Sequence, residues 1–161
     1  MKPIVLLVAC LVLALPAAAQ AQQKLSPADE TAAFSAAGFK REGSQWRGCD
    51  DPGTPSYTPG ALEQVADLNG DGLPEAVITE GSAHCFGNTG QGYAVVSKQP
   101  GGAWRLISQG AGILTFLASK GAGGWPDVEV GGPGFCFPVE RWTGQEYRLL
   151  RHQYEGRPCN P

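Results

Sequence analysis

The sequence lacks the motifs of several enzyme classes. Its two histidines, His84 and His152, are far apart, and neither belongs to a metal-binding pair such as H-x-x-x-H. It has no Gly-x-Ser-x-Gly nucleophile elbow, no Walker phosphate-binding loop and no dinucleotide fingerprint. These absences argue against a zinc enzyme, a hydrolase with an elbow serine and a nucleotide-dependent enzyme.

Charged side chains are also scarce, at 17% of the 161 residues. With 15 acidic and 12 basic residues the chain has a formal charge of −3. Such a mildly acidic protein does not have the basic surface that binds a phosphate backbone. We therefore expect no nucleic acid among its partners.

No apolar run is long enough for a transmembrane helix, which needs roughly 20 residues. The longest, residues 4–15, follows Lys2 and precedes a small-x-small cleavage site at residues 19–21. This arrangement predicts a signal peptide over residues 1–21 and a periplasmic or secreted protein with no membrane span. Residues 7–10 resemble a lipobox ending in Cys10, so a lipoprotein is the alternative.

Four cysteines follow the predicted cleavage site: Cys49, Cys85, Cys136 and Cys159. An even number of cysteines in an oxidising compartment favours disulfides. We expect two bridges, for which the sequence allows three pairings.

Glycine and proline are abundant, with 23 Gly and 13 Pro. Many turn formers favour short strands over long helices, so we predict one mainly β domain over residues 22–161. One short N-terminal helix is expected, because Ser26 can cap it, Pro27 suits its first position and Gly38 can end it.

The later part of the chain contains two similar segments, as in an internal sequence repeat. Segment 73–78 matches segment 125–130, and each follows a glycine-rich turn and precedes a Cys-Phe pair and a hairpin. We predict two related antiparallel β-hairpin units, similar to propeller blades, over residues 62–108 and 114–152. The alternative is repeated use of the same turn residues without duplication. The duplication favours disulfides Cys49–Cys85 and Cys136–Cys159, with a Cys85–Cys136 bridge left open.

Residues 67–75 have the spacing of a calcium loop. Asp67, Asn69 and Asp71 recur every second residue, so three oxygen ligands can converge on one hard cation. The carbonyl of Leu73 and the carboxylate of Glu75 would supply two more. Calcium takes roughly six to eight oxygens and is the expected cofactor. The alternative is that the Asn-Gly and Asp-Gly pairs are only hairpin turns.

The loop is not an EF-hand, because its twelfth position is Ile78 rather than an acid and the residues that follow Glu75 are β-prone. It resembles the calcium loops of FG-GAP and VCBS repeats, which implies a calcium ion at the entry of a β-strand in a propeller-like domain. Those repeats more often have Asp at the position of Glu75. The matching positions of the second copy, Ser119, Gly121 and Gly123, carry no such ligands. From the hairpin near Trp46 through residues 131–137 and 152–156, nearly the whole predicted mature chain resembles a group of uncharacterised secreted bacterial proteins, which implies export and a small β domain.

Two further groups of residues are candidate sites. Asp127, Glu129 and Glu140 could form the carboxylate pair of a hydrolase, although Asp127 and Glu129 share one face of a strand and are expected to be solvated. The tryptophans and two tyrosines could form a flat sugar- or protein-binding face, but most are expected in the core. Trp125 is the exception, because it follows four Gly and Ala residues in an expected exposed turn. It is the predicted partner contact.

We therefore expect a periplasmic or secreted binding module that is not an enzyme, is monomeric and is stabilised by one calcium ion. Its ligand would be an unknown protein or glycan. The first alternative is an inhibitor or immunity protein against a cell-wall hydrolase, since some such inhibitors resemble calcium-loop β proteins. The second is a hydrolase that uses surface carboxylates.

Overall fold

The structure is a computed structural model that describes residues 23–161, so the predicted signal peptide lies outside the described residues. Its strands form two antiparallel sheets, one of six strands and one of five. The helices are few and short. The prediction of a mainly β fold is therefore confirmed.

The elements follow in chain order. The first sheet contains β1 (Lys40–Glu42), β2 (Gln45–Arg47), β3 (Thr58–Ala66), β4 (Glu75–Gly81), β5 (Gln91–Lys98) and β6 (Trp104–Ala111). The second contains β7 (Ile113–Lys120), β8 (Pro126–Gly131), β9 (Phe137–Trp142), β10 (Tyr147–Tyr154) and β11 (Arg157–Pro158). The α-helices are α1 (Pro27–Ala36) and α2 (Ala83–Phe86), and 3-10 turns cover Gly87–Thr89 and Ala122–Gly124.

Helix α1 forms where the capping residues in the sequence predict it. The Ser26 side chain accepts a backbone hydrogen bond in the first turn, Pro27 begins the helix, and the chain turns away at Gly38 with a φ of 84°. Phe34 is buried, and its ring stacks on Trp46 of β2 with centroids 4.7 Å apart. The helix therefore covers one face of the first sheet.

Neighbouring strands in each sheet are consecutive in the chain. Strands β3 to β6 form what we call the first unit, and β7 to β10 form the second unit. Gly112 alone separates β6 from β7, so the chain passes from one sheet to the other without a linker. Each unit is a four-stranded antiparallel meander.

Two apolar clusters hold the layers together. The first lies between α1 and the first sheet and includes Phe34 and Ile78. The second lies between the sheets, where Val77 packs in one cluster with Trp142 of β9 and with Trp125, which directly precedes β8. Because Val77 and Ile78 are adjacent on β4, this strand is buried on both faces.

Trp125 is buried although Ala122 and Gly123 of the preceding turn are exposed, so the prediction that Trp125 is exposed is wrong and the predicted partner contact loses its basis. Its side chain is 6% exposed, and its ring lies 5.5 Å from that of Trp142. The 3-10 turn reverses the chain with Gly123 and Gly124 at positive φ, and the indole enters the space between the sheets. A large aromatic ring gains more from that burial than from solvent.

The disulfides join Cys49 to Cys85 and Cys136 to Cys159, the pairing that the duplication favours. The first links the segment after β2 to α2, and the second links the residue before β9 to the residue after β11. Both lie at the end of the sheets where β4 and β8 finish. The 67–75 loop lies at the opposite end, where β4 begins.

We expect the two disulfides to contribute comparably to stability, since their cysteines are 36 and 23 residues apart. Restriction of the unfolded chain predicts about 3 to 4 kcal/mol for each bridge. Urea unfolding of the Cys49→Ser/Cys85→Ser and Cys136→Ser/Cys159→Ser variants should show losses of that size in the free energy of unfolding. Unchanged stability, or a Cys85–Cys136 peptide in non-reducing mapping, would contradict the pairing.

Candidate functional site

The 67–75 loop joins β3 to β4. Ala66 and Glu75 pair across the two antiparallel strands and so set both ends of the loop. Between them, Gly70 and Gly72 have φ values of 84° and 85°, a left-handed conformation that glycine adopts without steric cost. The backbone therefore turns tightly enough to bring alternate side chains together.

The oxygen atoms at the start of the loop bind its own backbone. Asp67 accepts hydrogen bonds from three backbone N–H groups of the loop, at 2.7 to 3.1 Å. Asn69 accepts one from Asp71, and Asp71 accepts one from Leu73, both at 2.8 Å. These bonds order the loop, and carboxylate oxygens have further lone pairs that can bind an ion.

Glu75 is the buried member of the predicted ligand set, with 0% exposure. Its carboxylate accepts hydrogen bonds from the N–H of Leu68 at 2.7 Å and from the hydroxyl of Ser97 at 2.8 Å. The amide nitrogen of Asn69 lies 3.1 Å from Asp71 and 3.5 Å from Glu75. The structure thus brings Asn69, Asp71 and Glu75 into contact.

The charge of Glu75 has no direct basic partner: within residues 23–161 the salt bridges involve other carboxylates. Burial raises the pKa of Glu75, although the hydrogen bonds from Leu68 and Ser97 oppose this. The negative charges of Asp71 and Asp67 raise the pKa further. The loop is therefore an anionic environment that a cation would stabilise.

The predicted calcium ligands of the 67–75 loop do not surround a common point. Across the described part of the chain, no three Asp, Glu, His or Cys side chains form a group that could hold a metal ion. In the loop, Asp67 directs its oxygens to backbone amides, and the nitrogen of the Asn69 amide faces Asp71 and Glu75. A 180° rotation of that amide would present its oxygen instead, at the cost of the hydrogen bond from the Asp71 N–H. The predicted calcium site therefore stays a prediction.

The second unit buries an acid at the matching position and neutralises it. Asp127, at the start of β8, has 0% exposure and accepts two hydrogen bonds from Arg141, at 2.9 and 2.8 Å. Ser119, the residue that matches Asp67, donates a third at 2.6 Å. The second unit therefore satisfies its buried carboxylate with its own side chains.

The two acids face corresponding positions of the next strand. Glu75 pairs with Ser97 across β4 and β5. The register of β8 and β9 sets Asp127 opposite Arg141. Where the first unit has a neutral hydroxyl, the second has a guanidinium. This correspondence agrees with the predicted duplication, which itself stays a prediction.

The three acids of the hydrolase hypothesis do not lie together. Asp127 and Glu129 share one face of β8, as predicted, but Asp127 is buried rather than solvated. Glu140 pairs with Val128 and therefore projects from the opposite face of the sheet. Glu129 accepts a hydrogen bond from Gln153 at 2.7 Å. Asp127 and Glu129 thus bind side chains of β9 and β10 rather than each other or Glu140.

The exposed aromatic residues differ from those that the sequence singles out. All four tryptophans are at most 9% exposed, whereas Phe135 is 78% and Tyr154 is 45% exposed. The Tyr154 ring lies 6.3 Å from Phe135 and 6.2 Å from Phe137. We call Phe135, Phe137 and Tyr154 the aromatic tip. The feature of the sequence that could have indicated this cluster is Phe135, which lies between a Gly-Gly-Pro-Gly turn and a cysteine.

Buried acids near the first disulfide have no clear signal in the sequence. Asp51 is 2% exposed although its segment is typical of a surface loop. It accepts hydrogen bonds from Gly53, Thr54 and the hydroxyl of Ser82. Burial by itself raises the pKa of Asp51, but these bonds outweigh it and hold the pKa well below its usual range. Glu80 of β4 is likewise buried.

No protein-family model, curated protein or solved structure matches this chain. The resemblance of the 67–75 loop to FG-GAP and VCBS repeats therefore rests on the loop residues and on their position before β4. Membership of those families stays a prediction.

We expect Asp127→Asn to destabilise the protein more at neutral pH than in acid. Arg141 lowers the pKa of Asp127 against the effect of burial, and Ser119 adds to the lowering. The ionised acid thus adds stability above the usual Asp pKa of about 3.9, and this stability is lost as pH falls through the lowered pKa. The loss at pH 7 should be about 1 to 2 kcal/mol, since the Arg141 side chain is 42% exposed.

Urea unfolding at pH 7, 5 and 3 measures this difference. Glu146→Gln is the control, because Glu146 forms its salt bridge with Arg148 on an exposed surface. That change should alter the free energy of unfolding by less than about 0.5 kcal/mol. An equal loss in Asp127→Asn at all three pH values would show that the charge of Asp127 is not the cause.

Proposed function

We propose that the chain is an exported, non-enzymatic binding domain whose first unit is stabilised by one calcium ion in the 67–75 loop. The observation that carries this proposal is the buried carboxylate of Glu75, which has no salt-bridge partner within residues 23–161. A compensating charge stabilises an ionised carboxylate that is buried. Arg141 supplies that charge to Asp127 in the second unit, and a bound cation would supply it to Glu75.

The donor atoms favour calcium. The set consists only of hard oxygens, from Asp67, Asn69, Asp71, Leu73 and Glu75, without sulfur or imidazole. Calcium accepts irregular coordination at roughly 2.3 to 2.6 Å, whereas magnesium demands a stricter octahedron. When bound, the ion supplies positive charge and links the start of the loop to the start of β4.

The loop also touches the second unit. A Cβ atom added to Gly124 would lie 2.3 Å from the carbonyl oxygen of Asn69, so the two backbones are in direct contact. Gly124 ends the 3-10 turn Ala122–Gly124 of the second unit. This turn also lies near the turn between β9 and β10, since a Cβ atom added to Gly144 would lie 3.9 Å from Ala122. An ordered loop therefore supports the packing of one sheet on the other.

Export is supported by the two disulfides, which belong to an oxidising compartment, and by the predicted signal peptide. In the part of the chain that the structure describes, no helix has the length and apolar character needed to cross a membrane.

The aromatic tip favours a protein partner, so an inhibitor of a cell-wall hydrolase, or an immunity protein against one, is the second candidate. Phe135 protrudes beside the Cys136–Cys159 disulfide, and exposed aromatic rings are enriched at protein interfaces. A ring on a constrained loop loses little entropy on binding. Inhibition of a purified muramidase that is lost in Phe135→Ser would support this candidate, and no inhibition at molar excess would reject it.

Calcium should raise the melting temperature, and a chelator should lower it. Binding to the native state alone, at a free concentration a hundredfold above the Kd, adds about 2.7 kcal/mol to the free energy of unfolding. Calorimetric titration should find one site. Asp71→Ala should remove most of the gain, because it deletes an anionic ligand from the loop.

Asp127→Ala is the matched control in the second unit. It should lower the basal stability but leave the calcium-dependent gain in melting temperature intact, because Asp127 is paired with Arg141. Two equivalent calorimetric sites, or an unchanged calcium response in Asp71→Ala, would refute the assignment of the ion to this loop.

Gly124→Ala and Gly123→Ala separate the loop contact from backbone strain. Both glycines have positive φ, 79° and 60°, so each alanine should cost about 1 to 2 kcal/mol. At Gly124 the new Cβ would meet the Asn69 carbonyl at 2.3 Å, whereas at Gly123 it would meet Trp125 at 3.7 Å. By calorimetry we expect Gly124→Ala to weaken calcium binding about tenfold and Gly123→Ala to leave it unchanged. Equal affinities would contradict a role for this contact.

A further inference from the structure

A cleft of about 340 Å³ lies on the face of the first sheet that carries α1, beside the first disulfide. Phe39 and Phe86 line it together with Glu80 of β4 and Gly92 of β5. Its volume falls in the range of small-molecule sites, roughly 300 to 1,000 Å³. The cleft lies at the end of β4 away from the 67–75 loop, so the two sites are separate.

The rings of Phe39 and Phe86 pack directly against the backbone of glycine residues. A Cβ atom added to Gly92 would lie 2.3 Å from the Phe86 ring, and one added to Gly48 would lie 2.8 Å from the Phe39 ring. Gly60 contacts Phe39 in the same way, at 2.5 Å. Each ring thus rests on glycine, and the cleft is formed before any ligand arrives. A preformed site lowers the entropy cost of binding.

Glu80 brings a carboxylate to this cleft. It is 3% exposed and accepts hydrogen bonds from the N–H groups of Gly48 at 3.0 Å and Cys49 at 2.9 Å, and from the Tyr57 hydroxyl at 3.1 Å. Burial and the bond to Glu80 raise the pKa of Tyr57 to about 12, so its hydroxyl stays protonated at neutral pH. The three donors are all neutral.

No basic side chain forms a salt bridge with Glu80 within residues 23–161. Arg47 is nearby, with its guanidinium 4.5 Å from the Tyr57 ring centroid. Arg47 is already bound to Glu42 at 3.5 Å and to the carbonyl of Asp51. The cleft therefore combines apolar walls with a negative charge that lacks a direct counterion.

We propose that this cleft binds an organic ammonium ion, with its nitrogen at Glu80 and its apolar or aromatic group between Phe39 and Phe86. A desolvated carboxylate selects a cation over a neutral or anionic ligand. Phenylalanine rings bury apolar surface and attract cations. Gln109, which also lines the cleft, offers an amide to a further polar group. The inference rests on the proposed binding function and is independent of the calcium loop.

Benzylammonium, benzyl alcohol and phenylacetate are probes of similar size with positive, no and negative charge. Each would be titrated into nitrogen-15-labelled full-length mature protein while the amide signals of Gly48, Gly92 and Gln109 are followed. We expect benzylammonium to bind about tenfold or more tightly than benzyl alcohol, with no binding of phenylacetate. The same ranking is expected in calcium and in chelator, which separates this test from the calcium assignment. Equal affinities, or signal changes only outside the cleft, would overturn the proposal.

Glu80→Gln should abolish the preference for benzylammonium while benzyl alcohol still binds. Since this change also alters the partner of two backbone N–H groups, Gln109→Trp is a second variant that fills the rim from an exposed position. We expect Gln109→Trp to lose benzylammonium binding. Gln145→Trp, at an exposed position of the second unit, should retain it. Parental affinity in Gln109→Trp, or an equal loss in both tryptophan variants, would overturn the assignment of this cleft.

Discussion

Each unit buries a carboxylate where its second strand begins, Glu75 on β4 and Asp127 on β8. Removing a carboxylate from water is costly unless its charge is matched. In the second unit Arg141 reaches Asp127 from the neighbouring strand. In the first unit the corresponding residue is Ser97, and the preceding loop contributes more acids. The charge of the buried acid is thus matched by a side chain in the second unit and, in our proposal, by an ion in the first unit.

Strand β4 links these sites because it is buried on both faces. Its alternating side chains place Val77 in the cluster between the sheets and Ile78 in the cluster beneath α1. The same alternation puts Glu75 and Glu80 on opposite faces, at opposite ends of the strand. With little solvent on either side, each acid takes its hydrogen bonds from the protein. The strand therefore carries both candidate sites.

The two units contact each other at both ends of the sheets, through different segments. At one end the 67–75 loop meets the 3-10 turn of the second unit, where Gly124 contacts Asn69. At the other end lie both disulfides, the cleft and the aromatic tip. There a Cβ atom added to Gly132 would lie 3.3 Å from the Thr89 hydroxyl, so the two units meet again. An ion at the first end would stabilise the domain without contacting a ligand at the second.

The sequence by itself determined the features that depend on near neighbours. These are the mainly β class, the helix between Ser26 and Gly38, the main hairpins and the turn of the 67–75 loop, and the favoured disulfide pairs agree with the structure. Only the tertiary structure decided that Trp125 is buried between the sheets and that Asp51 is buried against Ser82. It also decided that Glu140 lies on the face of the sheet opposite to Asp127 and Glu129. Burial depends on which distant segments pack against a residue. A glycine-rich turn is therefore typical of the surface, yet it places an indole in the core when a second sheet covers it.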